Sequence, residues 1–245
     1  MMRGIVLTKA DEIDVMVHGL VKYNFFGHEV WLTTTHVSLL IVVLLLTVFS
    51  IAAGRAIRKG KEIPDGFQNV AELIVEKLDG MVDLSMGKNA RKYYNFIGTI
   101  FCFLLASNLS GLLGLRPPTA DYGVTFPMGV LVFVLIHFNQ IRYQKPRDIW
   151  TSMCSPLPPW LPLWLPINII SDIAVPISLS LRLFANILSG TLMMTLVYGM
   201  LGWIATIWPA ALHVYFDIFS GAIQTYVFCM LTMTYVSDAI GDAEA

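Results

Sequence analysis

Residues 172–200 read DIAVPISLSLRLFANILSGTLMMTLVYGM, and past Asp172 this apolar run holds one permanent charge, Arg182. No other charged residue stands between Asp172 and Asp217. An Arg near the middle of an apolar membrane helix costs about 2.5–3.5 kcal/mol on insertion scales. A side chain that expensive faces a partner or a water-filled path. Arg182 therefore reads as a functional residue, and the run around it as a membrane helix.

Composition agrees with that reading. Hydrophobic residues make up 56% of the chain and charged ones 13%, whereas soluble domains carry about 25% charged residues. With 245 residues and several apolar runs, the chain is expected to be an all-α polytopic membrane protein rather than a soluble enzyme. A net charge of −1 leaves no electrostatic footprint for nucleic acid. Cys102, Cys154 and Cys229 lack metal or redox spacing and read as packing residues. The start of the chain, with Asp11, Glu12 and Asp14, resembles neither a signal peptide nor an Arg-rich transit peptide. A bacterial cytoplasmic membrane is the expected location.

Working outward from the Arg182 run, hydropathy predicts spans over 167–199 and 203–236. Earlier spans are expected over 35–53, 94–115 and 124–141. The final seventy or so apolar residues exceed what two ordinary crossings use, so the last two helices are expected to be long and strongly tilted. Breaks are placed near Gly199–Gly202 and at Trp208-Pro209. Basic residues follow or precede the spans at Arg55, Arg58, Lys59 and Lys61, at Arg91 and Lys92, and at Arg142, Lys145 and Arg147. That pattern marks the cytoplasmic side, with Arg116 the lone exception. It puts an N-terminal segment, 1–32, outside, a membrane domain over 33–236, and an acidic tail, 237–245, inside.

Residues 65–84 differ in kind. Phe67, Val70, Ala71, Ile74, Leu78, Met81 and Val82 recur with helical period, with Glu72, Glu76, Lys77 and Asp83 between them. Pro64 is a helix-start signal. This segment is expected to be one amphipathic helix lying in the cytoplasmic interface. A helix packed on an extramembrane domain is the alternative. Residues 154–166, CSPLPPWLPLWLP, hold too many prolines for regular helix, and their tryptophans suit a membrane interface.

Two polar stripes stand on the last two helices. Ser178, Arg182 and Asn186 are spaced i, i+4, i+8, with Ser189 and Gly190 a turn further on. His213, Asp217, Ser220, Gly221 and Gln224 form the second stripe, and an antiparallel hairpin lets the two meet. Asp172 lies about 15 Å before Arg182 along the helix axis and marks a cytoplasmic mouth. Plainer readings stand beside these. The serines can bond their own helix backbone, Asn186 can bond across helices, and Arg182 can be neutralised by Asp217 or Asp172. His213 and Asp217 are spaced as a metal pair, but no third or fourth ligand is evident, so neither a metal nor a cofactor is expected. An intramembrane carboxylate such as Asp217 is costly unless paired or wetted, which favours a path for ions or protons.

The block Pro176-Ile-Ser-Leu-Ser-Leu-Arg182-Leu-Phe-Ala-Asn186-Ile-Leu-Ser-Gly190 closely resembles the F-type ATP synthase subunit a signature, P-[LI]-S-L-x-L-R-L-F-x-N-x-x-[AS]-G. Upstream, Pro166-Ile-Asn168-Ile-Ile-Ser-Asp172-Ile is similar to that family's P-L-N-L-I-E-E run. Downstream, Gly221-Ala-Ile-Gln224-Thr-Tyr226-Val-Phe228 is similar to its G-A-I-Q-A-Y-I-F block. Thr119-Ala-Asp121, Asn108-Leu109 and Asp65-Gly66-Phe67-Gln68 fit as well, so the resemblance runs from about residue 33 onward. Departures concern the polar partners of the Arg. Thr191 stands where many bacterial members carry Glu and mitochondrial ones His. Asp217 stands where His, Ser or Glu is usual, and Gly111 where some members place Asp.

The resemblance implies a stator subunit pressed against a rotor ring of small carboxylate-bearing c subunits, with the last two helices as the hairpin facing that ring. It also implies peripheral-stalk b subunits and an F1 catalytic sector as partners, within membrane lipid. Asp217, Gln224, Asn108 and Asp121 are then expected in an outer half-channel, with His213 near it. Ser178, Asn186 and Asp172 are expected in a cytoplasmic one, with Arg182 between the two. The chain has no G-x-x-x-x-G-K-[ST] loop, so nucleotide chemistry falls to partners. Two other classes compete: a secondary transporter binding an anionic substrate at Arg182, which normally shows two similar halves not seen here, and a membrane scaffold.

Overall fold

The computed structural model describes residues 19–25, 28–58, 66–113, 115–154, 165–201, 212 and 214–241. Within them, five helices are long and apolar enough to cross a membrane: Thr34–Arg58, Tyr94–Leu113, Tyr122–Tyr143, Leu165–Val197 and Val214–Ile240. The fold is that of an all-α polytopic membrane protein. Helices are the natural solution here, because a span in hydrocarbon must satisfy its backbone within itself.

One addition stands in the N-terminal segment. Strands β1 (Gly19–Phe25) and β2 (His28–Thr33) pair antiparallel, from Phe25 opposite His28 to Gly19 opposite Thr33. Val21, Tyr23 and Phe25 supply the β-forming residues at every second position. β2 passes directly into α1 (Thr34–Arg58). That helix runs beyond the expected end at residue 53 and takes Arg55 and Arg58 into its last turn, where cations meet the helix dipole favourably. Only Thr35, Ser38 and Val42 on α1 are buried, an i, i+3, i+7 stripe. Leu40, Val43, Leu44, Val48 and Ile51 face outward, as a lipid-facing helix requires.

Helix α2 (Phe67–Met86) carries the amphipathic segment and is followed by a 3₁₀ turn over Gly87–Lys92. Its inward face is narrower than the periodic pattern suggested: Ala71, Val82 and Met86 are buried, while Phe67, Val70 and Ile74 are exposed. Helix α3 (Tyr94–Leu109) ends in a 3₁₀ turn, Ser110–Leu113, and a second such turn covers Pro118–Ala120. Helix α4 spans Tyr122–Tyr143. A short helix the sequence reading did not anticipate, α5 (Pro146–Cys154), precedes α6 (Leu165–Leu201). Helix α6 ends at Leu201, within the 199–202 stretch where a break was placed. The last span comprises a π-helical turn, Val214–Ser220, leading into α7 (Gly221–Ile240). α7 passes the expected end at residue 236, so Asp238, assigned to the tail, is helical. Lys59, Lys61, Pro64, Asp65, the Pro/Trp stretch 155–164, the Trp208-Pro209 break, His213 and residues 242–245 lie outside the described residues.

The core is a seam of heptad-like spacing. Tyr93, Ile97, Ile100 and Leu104 of the α3 side meet Cys229, Met233, Val236 and Ile240 of α7, with Val82 and Met86 from α2, Val132 from α4, and Leu179 and Leu183 from α6. Lipid tails are as apolar as these side chains, so packing contacts and interhelical hydrogen bonds hold the bundle more than the hydrophobic effect does. At one end of the bundle, Tyr93 donates to Asn139 Oδ1 at 2.7 Å and Gln144 Nε2 donates to Ala239 O at 3.0 Å. Tyr94 also donates to Asp83, and Ser85 to Met230 Sδ at 3.3 Å. α4 and α6 pack along much of their length.

Candidate ion-translocation site

Helix α6 has two faces. Pro176, Leu179, Ser180, Leu183, Ile187 and Met194 are buried, a single helical stripe turned to the bundle. Ser178, Arg182 and Ser189 occupy the opposite side and are exposed. Arg182 makes no ion pair or hydrogen bond among the described residues. The alternative in which Asp172 or Asp217 neutralises it therefore finds no contact here. A permanent cation is held on the outer wall of an apolar bundle, where a second protein surface can reach it.

The two stripes expected to meet do so at one point. Ser220 Oγ donates to Asn186 Oδ1 at 3.0 Å, joining the last helix to α6. Ser220 therefore bonds across helices rather than to its own backbone. Gly190 lies beside Phe216, whose ring a Cβ there would meet at 3.7 Å. Arg182 and Ser178 stay outside this junction, since they lie further round the helix than Asn186.

Asp217 is half-buried on the π-helical turn. Such turns are rare and concentrate at functional sites. The wider turn spreads neighbouring side chains, so Asp217 reaches toward Gly111 on the α3 side while Ser220 reaches α6. A Cβ on Gly111 would stand 3.7 Å from Asp217 Oδ1.

Beside Asp217 is a buried polar cluster. Asn108 donates through Nδ2 to Gly221 O at 3.0 Å and Thr225 Oγ1 at 3.1 Å. It accepts at Oδ1 from Thr119 Oγ1 at 2.8 Å. Gly221 is small for a reason: a Cβ there would come within 3.0 Å of the Asn108 Cβ. Gln224 is 9% exposed, and its Nε2 has no acceptor among the described residues. Ser107 Oγ and Thr35 Oγ1 are likewise buried without a partner among them. Buried polar atoms of this kind are the usual seats of ordered water. The α3, α7 and 118–120 elements thus enclose a polar region inside an apolar bundle.

The remaining expected residues fall as follows. Asp121 caps α4, accepting from Gly123 N at 2.9 Å, a local structural duty the sequence reading did not assign it. Asp172 is half-buried four residues before Pro176, and the proline removes the N–H that would otherwise bond the Asp172 carbonyl. Thr191 is exposed, and its hydroxyl donates to Leu188 O at 2.9 Å and Ile187 O at 3.1 Å of its own helix. Thr119, Thr225 and Gly111 were not singled out as site residues. Their signal was available in part, as small or polar residues interrupting or ending apolar spans.

Comparison with known proteins gives this arrangement relatives. A family model described as ATP synthase A chain matches residues 35–237. A sodium ion specific ATP synthase subunit a from Propionigenium modestum is 33% identical over 198 residues, covering 74% of this chain and 66% of its own. An ATP synthase subunit a from Staphylococcus saprophyticus is 30% identical over 242 residues, covering 91% of this chain and 97% of its own. Another, from Sulfurihydrogenibium, is 32% identical over 207 residues, with 84% and 94% covered.

Proposed function

We propose, for a chain that belongs to the ATP synthase A chain family, that Arg182 separates two offset half-channels and forces ions to cross by way of a rotating ring of c subunits. The carrying observation is the placement of Arg182: exposed, without an ion pair among the described residues, on the face of α6 turned away from the packed core. As an ATP synthase subunit a, the chain is an integral membrane component of that assembly, and its spans suit ion transport.

The chemistry follows from two constraints. A guanidinium does not lose its proton under biological conditions, so it holds an approaching ring carboxylate in its charged form. A carboxylate moves into lipid cheaply only when neutralised, since burying it charged is prohibitive. The ring carboxylate must therefore take up an ion from one half-channel and release it to the other. Arg182 stands between them and blocks a direct leak. Asp217 serves as the uptake carboxylate of the outer half-channel. Gln224 lines it with water, Asn108 holds its wall together, and Asp121 stands near its mouth. Ser178, Asn186 and Asp172 line the cytoplasmic exit. Each ion falling through 100 mV releases about 2.3 kcal/mol, and several per turn are transmitted through the ring to the F1 sector while peripheral-stalk b subunits hold the stator fixed. Orientation follows the basic loops, with the N-terminus outside and the C-terminus in the cytoplasm of a bacterial cell. Selection between H+ and Na+ belongs to the ring's ligands rather than to this chain.

The decisive experiment reconstitutes the whole complex in liposomes. Arg182→Ala is expected to abolish ATP-driven pumping and to open a passive leak. Pumping at the wild-type rate in that variant overturns the reading. Asp217→Asn is expected to assemble fully and slow ion uptake. Unchanged flux in it removes Asp217 from the pathway while leaving Arg182 in place.

A further inference from the structure

One close approach lies outside the polar site and bears on it. Gly129 of α4 faces the backbone of α6 at Pro176: a Cβ on Gly129 would lie 2.5 Å from Pro176 O and 3.3 Å from Ser180 Cβ. No other described glycine brings its Cβ position so near to backbone. Even alanine cannot occupy that position without moving one helix, and the obstacle is a carbonyl rather than a flexible side chain.

The partner of that contact is mechanically special. Proline inside a helix removes one backbone hydrogen bond and leaves the turn before it soft. Arg182 stands six residues beyond, about 9 Å up the helix axis. A lateral shift at Pro176 is thus carried directly to the guanidinium. Around the contact, Thr125 and Val132 of α4 and Leu179, Ser180 and Leu183 of α6 are all buried, so the two helices meet without slack. Small residues at membrane-helix crossings permit this kind of backbone approach.

We propose that the Gly129–Pro176 crossing is a fixed bearing that sets where Arg182 stands toward the rotor, which makes Gly129 a positioning residue for ion translocation. The inference rests on the proposed role of Arg182. A glycine here lets the proline-softened turn of α6 lie directly on α4, and the exposed face bearing Arg182 is pressed outward at a defined height.

The test uses the complete ATP synthase. Gly129→Ala is compared with Gly80→Ala, a helical position where an added Cβ meets nothing within 4 Å. Leu181→Cys, on the exposed face beside Arg182, is paired with a series of single cysteines along the ring's outer helix, and the position of maximal disulfide yield is recorded. Gly129→Ala is expected to assemble, to shift that maximum along the ring helix, and to lower ATP-driven pumping by about 100-fold, the order of loss a misplacement near 1 Å can cause. Should Gly129→Ala accumulate poorly, Ser180→Val, which adds bulk at the same crossing, carries the same readout. An unshifted cross-linking maximum with pumping equal to the Gly80→Ala control overturns the bearing. Arg182→Ala is run in parallel. If it pumps normally, the proposed function itself has failed. If it is dead while Gly129→Ala is normal, only the bearing has.

Discussion

Gly111 lies against the carboxylate of Asp217, with its Cβ position 3.7 Å from Asp217 Oδ1 and 3.5 Å from Pro117 Cγ. Both are ordinary contact distances, so one methyl fits and a branched side chain does not. Gly111→Ala is expected to leave pumping and thermal stability unchanged. Gly111→Leu must displace either the carboxylate or the Pro117 turn, at about 1–3 kcal/mol of overpacking, and is expected to slow ion uptake. ATP-driven pumping and the melting temperature of the purified complex check both. A Leu variant with normal uptake shows that the space beside Asp217 is not on the route.

The Asn108 cluster makes a separate claim about stability. Its amide joins α3 to Gly221 and Thr225 of α7 and to Thr119 in the connecting loop. Asn108→Leu leaves buried partners unmet, a cost of about 1–3 kcal/mol. Gly221→Ala pushes on the same side chain from the other helix and is expected to lower the melting temperature in the same direction. A complex carrying either change and melting with the wild type shows that the cluster holds nothing together.

What the sequence made legible follows physical lines. The five spans were readable because hydrocarbon demands long apolar helices, and Arg182 because its insertion cost makes it conspicuous. Span ends were read short at Arg58 and Ile240, because charged residues in a terminal turn lower hydropathy without ending the helix. The stripe on α6 was correct as a helical face, but periodicity cannot say which way a face points. Packing at Leu179 and Leu183 turned Arg182 outward and left Asn186 and Gly190 to meet the last helix. The π-helical turn has no compositional signature, so the separation of Asp217 from Ser220 was invisible. Gly129 was unreadable for a related reason: its meaning lies wholly in Pro176, some fifty residues away.

Tyr93 offers a pH test outside the spans. Burial, together with the nearby Tyr143, pushes its phenol above the ordinary value of 10.0, against the lowering influence of Lys92, Asn139 and Arg142. Because the folded value is the higher one, the neutral phenol contributes stability fully below pH 10, and the contribution is lost as pH rises through the folded value. Tyr93→Phe leaves Asn139 Oδ1 without its donor and is expected to destabilise the complex by about 1–3 kcal/mol at pH 8. The gap between wild type and variant should shrink on titration above pH 10, measured by thermal melting. A gap that stays constant or widens there contradicts the assignment.

Thr191 decides how much of the uptake step rests on one carboxylate. Its hydroxyl is spent on the carbonyls of Ile187 and Leu188 within its own helix turn, and the residue is exposed. A hydroxyl in that bond offers no titratable proton at biological pH. Thr191→Val keeps the shape and removes the hydroxyl, so it is expected to change stability by no more than about 0.5 kcal/mol and to leave pumping intact. Asp217→Asn in the same background should then lose as much flux as it does alone, because Thr191 has no share in the relay to lose. If Thr191→Val slows pumping, or if the two changes compound, the hydroxyl takes part in ion transfer and Asp217 does not carry the uptake step by itself.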